Sequence, residues 1–402
     1  MYESNINRVP SGALAETTQS LIGGLTYQER SVNFNAQILA QAERRRYLLN
    51  SYNDESIYFV NGAAVWTISP QQFTWTVEDV ARQVQLDIAA PDTPSNRTNT
   101  NTLSTGPDFT LRLGPVDTVT IAARYARYTI DGPGDTKSYF VQPSWVHRVS
   151  ELTTLSLNYT ATRYINLDPS PFGETRLEQR FLRFETRPSL GMLTIDVGTN
   201  SFAQEGGANG SGRLVRLVFL RPLTSESSLR VSFDSQYFVT STELLAGVTS
   251  PAPPTAGAPS APSTIVATRD TYYSRGGDIS YENHSRRFVF ALVGSARSID
   301  YQNPLTPDFE ESRGRIECTW LSSDTARVRA RTEYLRRTFQ QDPFRQDHQL
   351  YAGVGVIYNL TQNVNISVDA ERIAQSSSAP QFDFVDRRAI LSLAYNSSSL
   401  RR

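Results

Sequence analysis

Residues 213–239 read RLVRLVFLRPLTSESSLRVSFDSQYFV, two alternating runs joined by a polar turn at Thr224, Ser225 and Glu226. In the second run Leu229, Val231, Phe233 and Tyr237 share one face, while Arg230, Ser232, Asp234 and Gln236 share the other. A period of two marks a strand whose faces meet different surroundings. The runs are long for a soluble strand, and the side away from the apolar residues is charged. After Val239 comes a segment of Pro, Ala, Ser and Thr, and then the alternation starts again.

The same unit of short turn and long loop recurs in both directions. Phe109, Leu111 and Leu113 lead through a turn into Val119, Ile121, Ala123 and Tyr125. Ile316, Cys318 and Trp320 lead into Val328, Ala330, Thr332 and Tyr334, and the last run is Ala389, Leu391, Leu393 and Tyr395. Residues 1–18, 90–105 and 240–268 read as long loops, the last rich in proline. The census is roughly 19 strands of about 9–15 residues, which suits membrane-spanning strands. The expected fold is therefore all-β: one domain over residues 1–402, a transmembrane antiparallel up-and-down β-barrel of about 18–20 strands. Short turns would face the periplasm and long loops the exterior, in the outer membrane of a Gram-negative bacterium. The first and last complete strands both descend from a long loop. Strand parity thus leads us to expect an ascending strand and an export signal ahead of Met1.

Composition agrees. A net charge of −1 over 402 residues offers no basic excess for nucleic acid. Mean hydropathy is −0.39, and no apolar run is long enough for a membrane helix, yet a barrel strand shows lipid only every second residue. Tyrosine and phenylalanine, 19 each, outnumber methionine at 2 and cysteine at 1, a balance that favours strands and interfacial aromatics. Aromatic girdles are expected from Tyr27, Tyr58, Trp66, Trp75, Tyr125, Trp145, Tyr237, Trp320 and Tyr358.

In a barrel this wide the inward faces hold an aqueous lumen, so function should sit there. The expected lumen-lining residues are Arg112, Arg124, Arg183, Arg216, Arg230, Arg315, Arg327, Arg329, Arg331, Glu185, Asp234, Glu333 and Asp369. Arginine rings in a pore suit anions or phosphate, and guanidinium grips carboxylate through two parallel hydrogen bonds. The plainer reading is that these side chains solvate the lumen and pair with one another. Catalysis finds little support: His147, His284 and His348 fall in different hairpins without metal-ligand spacing, and no cofactor is expected.

Several short motifs resemble the outer-membrane barrel proteins of exopolysaccharide and PEP-CTERM (exosortase) loci. They are YESNINR at 2–8, FTW at 73–75, PSNRTN at 94–99 followed by Gly106 and Pro107, and ARYARY at 123–128. The resemblance implies a role in secreting or anchoring polysaccharide. The expected partners are outer-membrane lipid, an acidic polysaccharide and periplasmic export proteins. One departure is that Tyr395 is followed by a further polar tail rather than ending the chain. Two alternatives stand beside export: a general or anion-preferring porin, and a plugged barrel serving as a surface adhesin or scaffold.

Overall fold

The computed structural model describes residues 1–132, 134–168, 173–188, 191–239, 270–304, 306–340 and 345–397. A two-residue strand, β1 (Tyr2–Glu3), opens the chain. Nineteen long strands follow: β2 (Glu16–Arg30), β3 (Phe34–Tyr47), β4 (Glu55–Ser69), β5 (Phe73–Gln85), β6 (Arg97–Arg112), β7 (Asp117–Ile130), β8 (Thr136–Arg148), β9 (Thr153–Asn166), β10 (Thr175–Thr186), β11 (Met192–Gln204), β12 (Asn209–Pro222), β13 (Ser227–Val239), β14 (Thr271–His284), β15 (Phe288–Tyr301), β16 (Phe309–Leu321), β17 (Ala326–Phe339), β18 (Gln346–Asn359), β19 (Val364–Ser377) and β20 (Phe384–Tyr395). Each long strand pairs antiparallel with its sequence neighbours, and all twenty form one sheet.

The sheet closes through β1, which runs antiparallel to both flanking strands. Tyr2 faces Thr17 of β2 on one side and Ala389 of β20 on the other. Glu3 pairs with Arg388 at 3.2 Å, and Asp386 accepts from the backbone of Ser4 and Asn5. β2 and β20, both antiparallel to β1, run in the same sense. Among the described residues no ladder joins 19–30 to 390–395.

Side chains alternate as the sequence requires. Trp66, Trp75, Leu111, Trp145, Leu157, Val197, Trp320 and Leu391 are exposed on the outside of the barrel. Eight of the nine expected girdle aromatics are exposed; Tyr237 is the exception. The upper part of β12 is not laddered to β13, and Tyr237 packs in that gap against Phe202 and Tyr273, with ring centroids 4.8 and 4.9 Å apart.

Turns on one side span three to five residues. The other side is less uniform than the reading of alternating short and long connections: β11 and β12 are joined by only four residues. A second correction concerns 90–105, of which 97–105 belongs to β6. Thr98, Thr100, Thr102 and Ser104 are buried on its inner face. At Gly106 a β-carbon would meet the carbonyl oxygen of Ala123 at 2.0 Å, so the strands approach there as only glycine allows.

Candidate functional site

The lumen face changes character from the short-turn end to the long-loop end. Every candidate residue named from the sequence has inward parity: all but Arg216 lie opposite to the exposed apolar side chains of their strands, and Arg216 faces the inward Asp196 of β11. Arg112 and Arg327, at the short-turn ends of β6 and β17, are exposed, and Arg230 and Arg315, further along their strands, are half-buried. Among the described residues none of these four has a carboxylate at ion-pair distance.

The other candidate charges are paired. Both nitrogens of the Arg183 fork donate to Asp196, at 2.7 and 2.9 Å, while Arg216 meets the second oxygen at 2.8 Å. Asp196 is 1% exposed, and the two guanidiniums lie over the face of Phe181. Arg124 donates to both oxygens of Asp108 at 2.8 Å and to the carbonyl of Pro107 at 3.0 Å. Asp234 meets Arg297 at 3.5 Å. Glu185 binds Arg187, Arg329 binds Asp369 at 2.9 Å, and Arg331 binds Glu333 at 2.7 Å. Arg313 extends that last pair towards Glu311, which also takes the fork of Arg337. The wall is a lattice in which most arginines share a carboxylate with a neighbour. The adjacent-strand register places them so, for Arg183 faces Asp196, Asp196 faces Arg216 and Arg216 faces Asp234.

At the long-loop end a loop crosses the lumen. The connection 86–96 folds inwards from β5 and β6 and reaches the wall halfway round the ring. There Ile88 packs with Tyr272, Ile299, Tyr301, Phe309 and Phe339, and its carbonyl accepts from Arg337 at 3.5 Å. Asn96 holds the loop in shape: its amide donates to the carbonyls of Asp87, Ala90 and Pro91, and its oxygen accepts from the Asp87 N–H. Asp92 takes the Arg97 fork at 2.5 and 2.9 Å and ion-pairs with Arg8 of the N-terminal segment at 3.3 Å. Burial would raise the Asp92 carboxyl, but Arg97 and Arg8 outweigh it and hold the group well below the usual carboxylate range. A void of about 30 Å³ remains between Gln85, Asp92, Leu335, Arg337 and Gln375, little more than room for water.

Ile88, Asp92, Arg97 and Arg8 were not among the candidates from sequence. They lie in stretches read as outer loops, and the one signal available was the pair of motifs YESNINR and PSNRTN, both of which contribute to this closure. The proline-rich stretch 240–268 lies outside the described residues. His147 binds Asp117 at 2.9 Å, His284 lies near Glu282, and His348 meets the Tyr334 hydroxyl at 2.6 Å, three separate places on the wall. Among the described residues no three His, Cys, Asp or Glu side chains gather to hold a metal.

No protein-family model matches this sequence, and no curated protein matches it. Solved structures do. The copper transporter OprC superposes over 96% of this chain and 72% of its own, at 11% identity and a TM-score of 0.51. The ferric citrate transporter FecA aligns with 93% of this chain and 65% of its own, at 10% identity and a TM-score of 0.47. The FrpB iron transporter from Neisseria meningitidis covers 94% and 80% respectively, at 9% identity and 0.44. At such identities the likeness speaks to fold alone, and only the first superposition is close enough to carry it. This chain has the closed antiparallel β-barrel fold of the outer-membrane transporters.

Proposed function

We propose that the chain is an outer-membrane conduit, or a component of the export machinery, for an acidic exopolysaccharide, closed at its outer mouth in the state described here. The observation that carries this reading is the arginine-rich lumen. Among the described residues Arg112 and Arg327, at the short-turn end, and Arg230 and Arg315, further in, have no carboxylate partner, and arginine–carboxylate pairs surround them up to the loop 86–96. A polyanion entering from the short-turn side meets free guanidiniums first. It then meets pairs in which its own carboxylates can replace those of the wall, since the fork geometry is the same. The packed mouth opposes a general porin, which needs a standing aqueous path. The adhesin alternative rests mainly on the proline-rich loop outside the described residues.

The test is a planar-bilayer recording of the full chain beside a variant in which residues 87–95 are replaced by two glycines. The intact chain should be nearly silent. The variant should conduct, and acidic exopolysaccharide added on the short-turn side should block it more strongly than a neutral polysaccharide of equal length. Equal block by both polymers would overturn the export reading.

A further inference from the structure

Between the long strands, charged residues that face one another on the inner wall are opposite in sign, as in Arg183 with Asp196, Glu311 with Arg337 and Glu371 with Arg388. The outward face does the reverse. Arg127 faces Lys137, Arg163 faces Arg176, and Arg372 faces Arg387. All six lie towards the long-loop ends of their strands and share parity with lipid-facing residues such as Tyr125, Tyr139, Leu157, Leu182, Val368 and Leu391.

Like charges directly opposed on a sheet face are destabilising. Two of the six have relief, since Arg127 pairs with Asp135 at 3.2 Å and Arg163 with Glu174. Among the described residues no carboxylate lies at ion-pair distance from Lys137, Arg176, Arg372 or Arg387. A third observation sets their level. Tyr125 and Tyr139 face each other with ring centroids 5.6 Å apart, two residues nearer the short turns than Arg127 and Lys137. Tyrosines of that kind sit at the headgroup boundary, so the cations beyond them emerge among the headgroups themselves.

We propose that this outward rim binds the phosphate groups of anionic lipid in the outer leaflet. A phosphate oxygen between two opposed cations offsets their repulsion, and the guanidinium fork matches phosphate through two parallel hydrogen bonds. The inference rests on the barrel's crossing an outer membrane, and it concerns the lipid-facing side rather than the lumen.

The test uses the full chain reconstituted in phosphatidylcholine vesicles containing a bisphosphorylated glycolipid or its dephosphorylated form. Insertion is scored separately by resistance to an alkaline carbonate wash, and bound glycolipid is counted by native mass spectrometry. The full chain should retain the phosphorylated form selectively. The variant carrying K137Q, R176Q, R372Q and R387Q should insert but lose that retention by on the order of a hundredfold. An Arg221→Gln control, outward-facing at the short-turn rim, should behave like the unaltered chain. Equal retention of the two glycolipids by an inserted chain, or retention unchanged in the quadruple variant, would overturn this inference alone. So would a soluble acidic polysaccharide that loses affinity on the same four substitutions while lipid retention persists. A chain that washes off the vesicles would overturn the outer-membrane reading, and this inference with it.

Discussion

Asp196 is buried and holds two half-buried guanidiniums stacked on Phe181. Removing it takes this counter-charge from both, at a cost of about 1–3 kcal/mol because solvent reaches them in part. Asp196→Ala should therefore lower the thermal midpoint of the detergent-solubilised barrel clearly, whereas Arg112→Gln, at an exposed and unpaired position, should leave it nearly unchanged. Heat-modifiable mobility on gels would read both. Asp92 gives a pH prediction with a definite sign. Its pKa is depressed in the folded chain, so its contribution is complete above the unfolded carboxylate value near 4 and is lost as pH falls below that towards the folded value. Protease access to the 86–96 loop should be flat from about pH 8 to 5 and rise only below about pH 4. A rise between pH 7 and 6 would assign the lock to another group. At this scale the sequence was readable in direction but not in partnership. Period two placed Arg183, Arg329 and Arg331 on the inner face, but whether a guanidinium is free depends on the register of the next strand. No local pattern encodes that.

Among the elements, the loop 86–96 has the clearest consequence. Ile88 is 2% exposed in a cluster drawn from the far wall, and truncating a buried isoleucine costs roughly 2–5 kcal/mol. That is enough to shift a loop whose other ties are a few hydrogen bonds and one ion-pair network. Ile88→Ala and Asn96→Ala should each raise open-channel events in bilayer recordings, with the double variant approaching the loop replacement. Unaltered silence in the double variant would show that the mouth is closed by something else. The loop was misread from sequence for a physical reason. Residues 97–102 are polar on both faces, with Arg97, Asn99 and Asn101 on one and Thr98, Thr100 and Thr102 on the other, so no apolar–polar alternation marks this part of β6. Alternation of apolar with polar residues reports a strand only where one side is greasy. The same rule worked well for β18 and β19, whose apolar faces run from Leu350 to Tyr358 and from Val364 to Ala370.

For the molecule as a whole, fold legibility was high because a spanning sheet imposes period two and hairpin topology on nearly every residue. Function was less legible, since neither the closure of the mouth nor the pairing state of the lumen follows from periodicity. Selectivity tests this division. In the background lacking 87–95, neutralising Arg112, Arg230, Arg315 and Arg327 together should move the reversal potential away from anion preference with little change in thermal midpoint. Neutralising Arg329 or Arg331 instead strips a carboxylate, Asp369 or Glu333, of its partner. Those variants should lose stability by roughly 1–3 kcal/mol. If the two sets behaved alike, the distinction between free and shared guanidiniums would have no functional meaning.

A cylinder that is antiparallel all the way round needs an even number of staves, and among the described residues the twentieth is only two residues tall. Tyr2 and Glu3 are bonded to β2 on one side and to β20 on the other, with Glu3 also held by Arg388. Unzipping of the ring would therefore start with the loss of those few contacts.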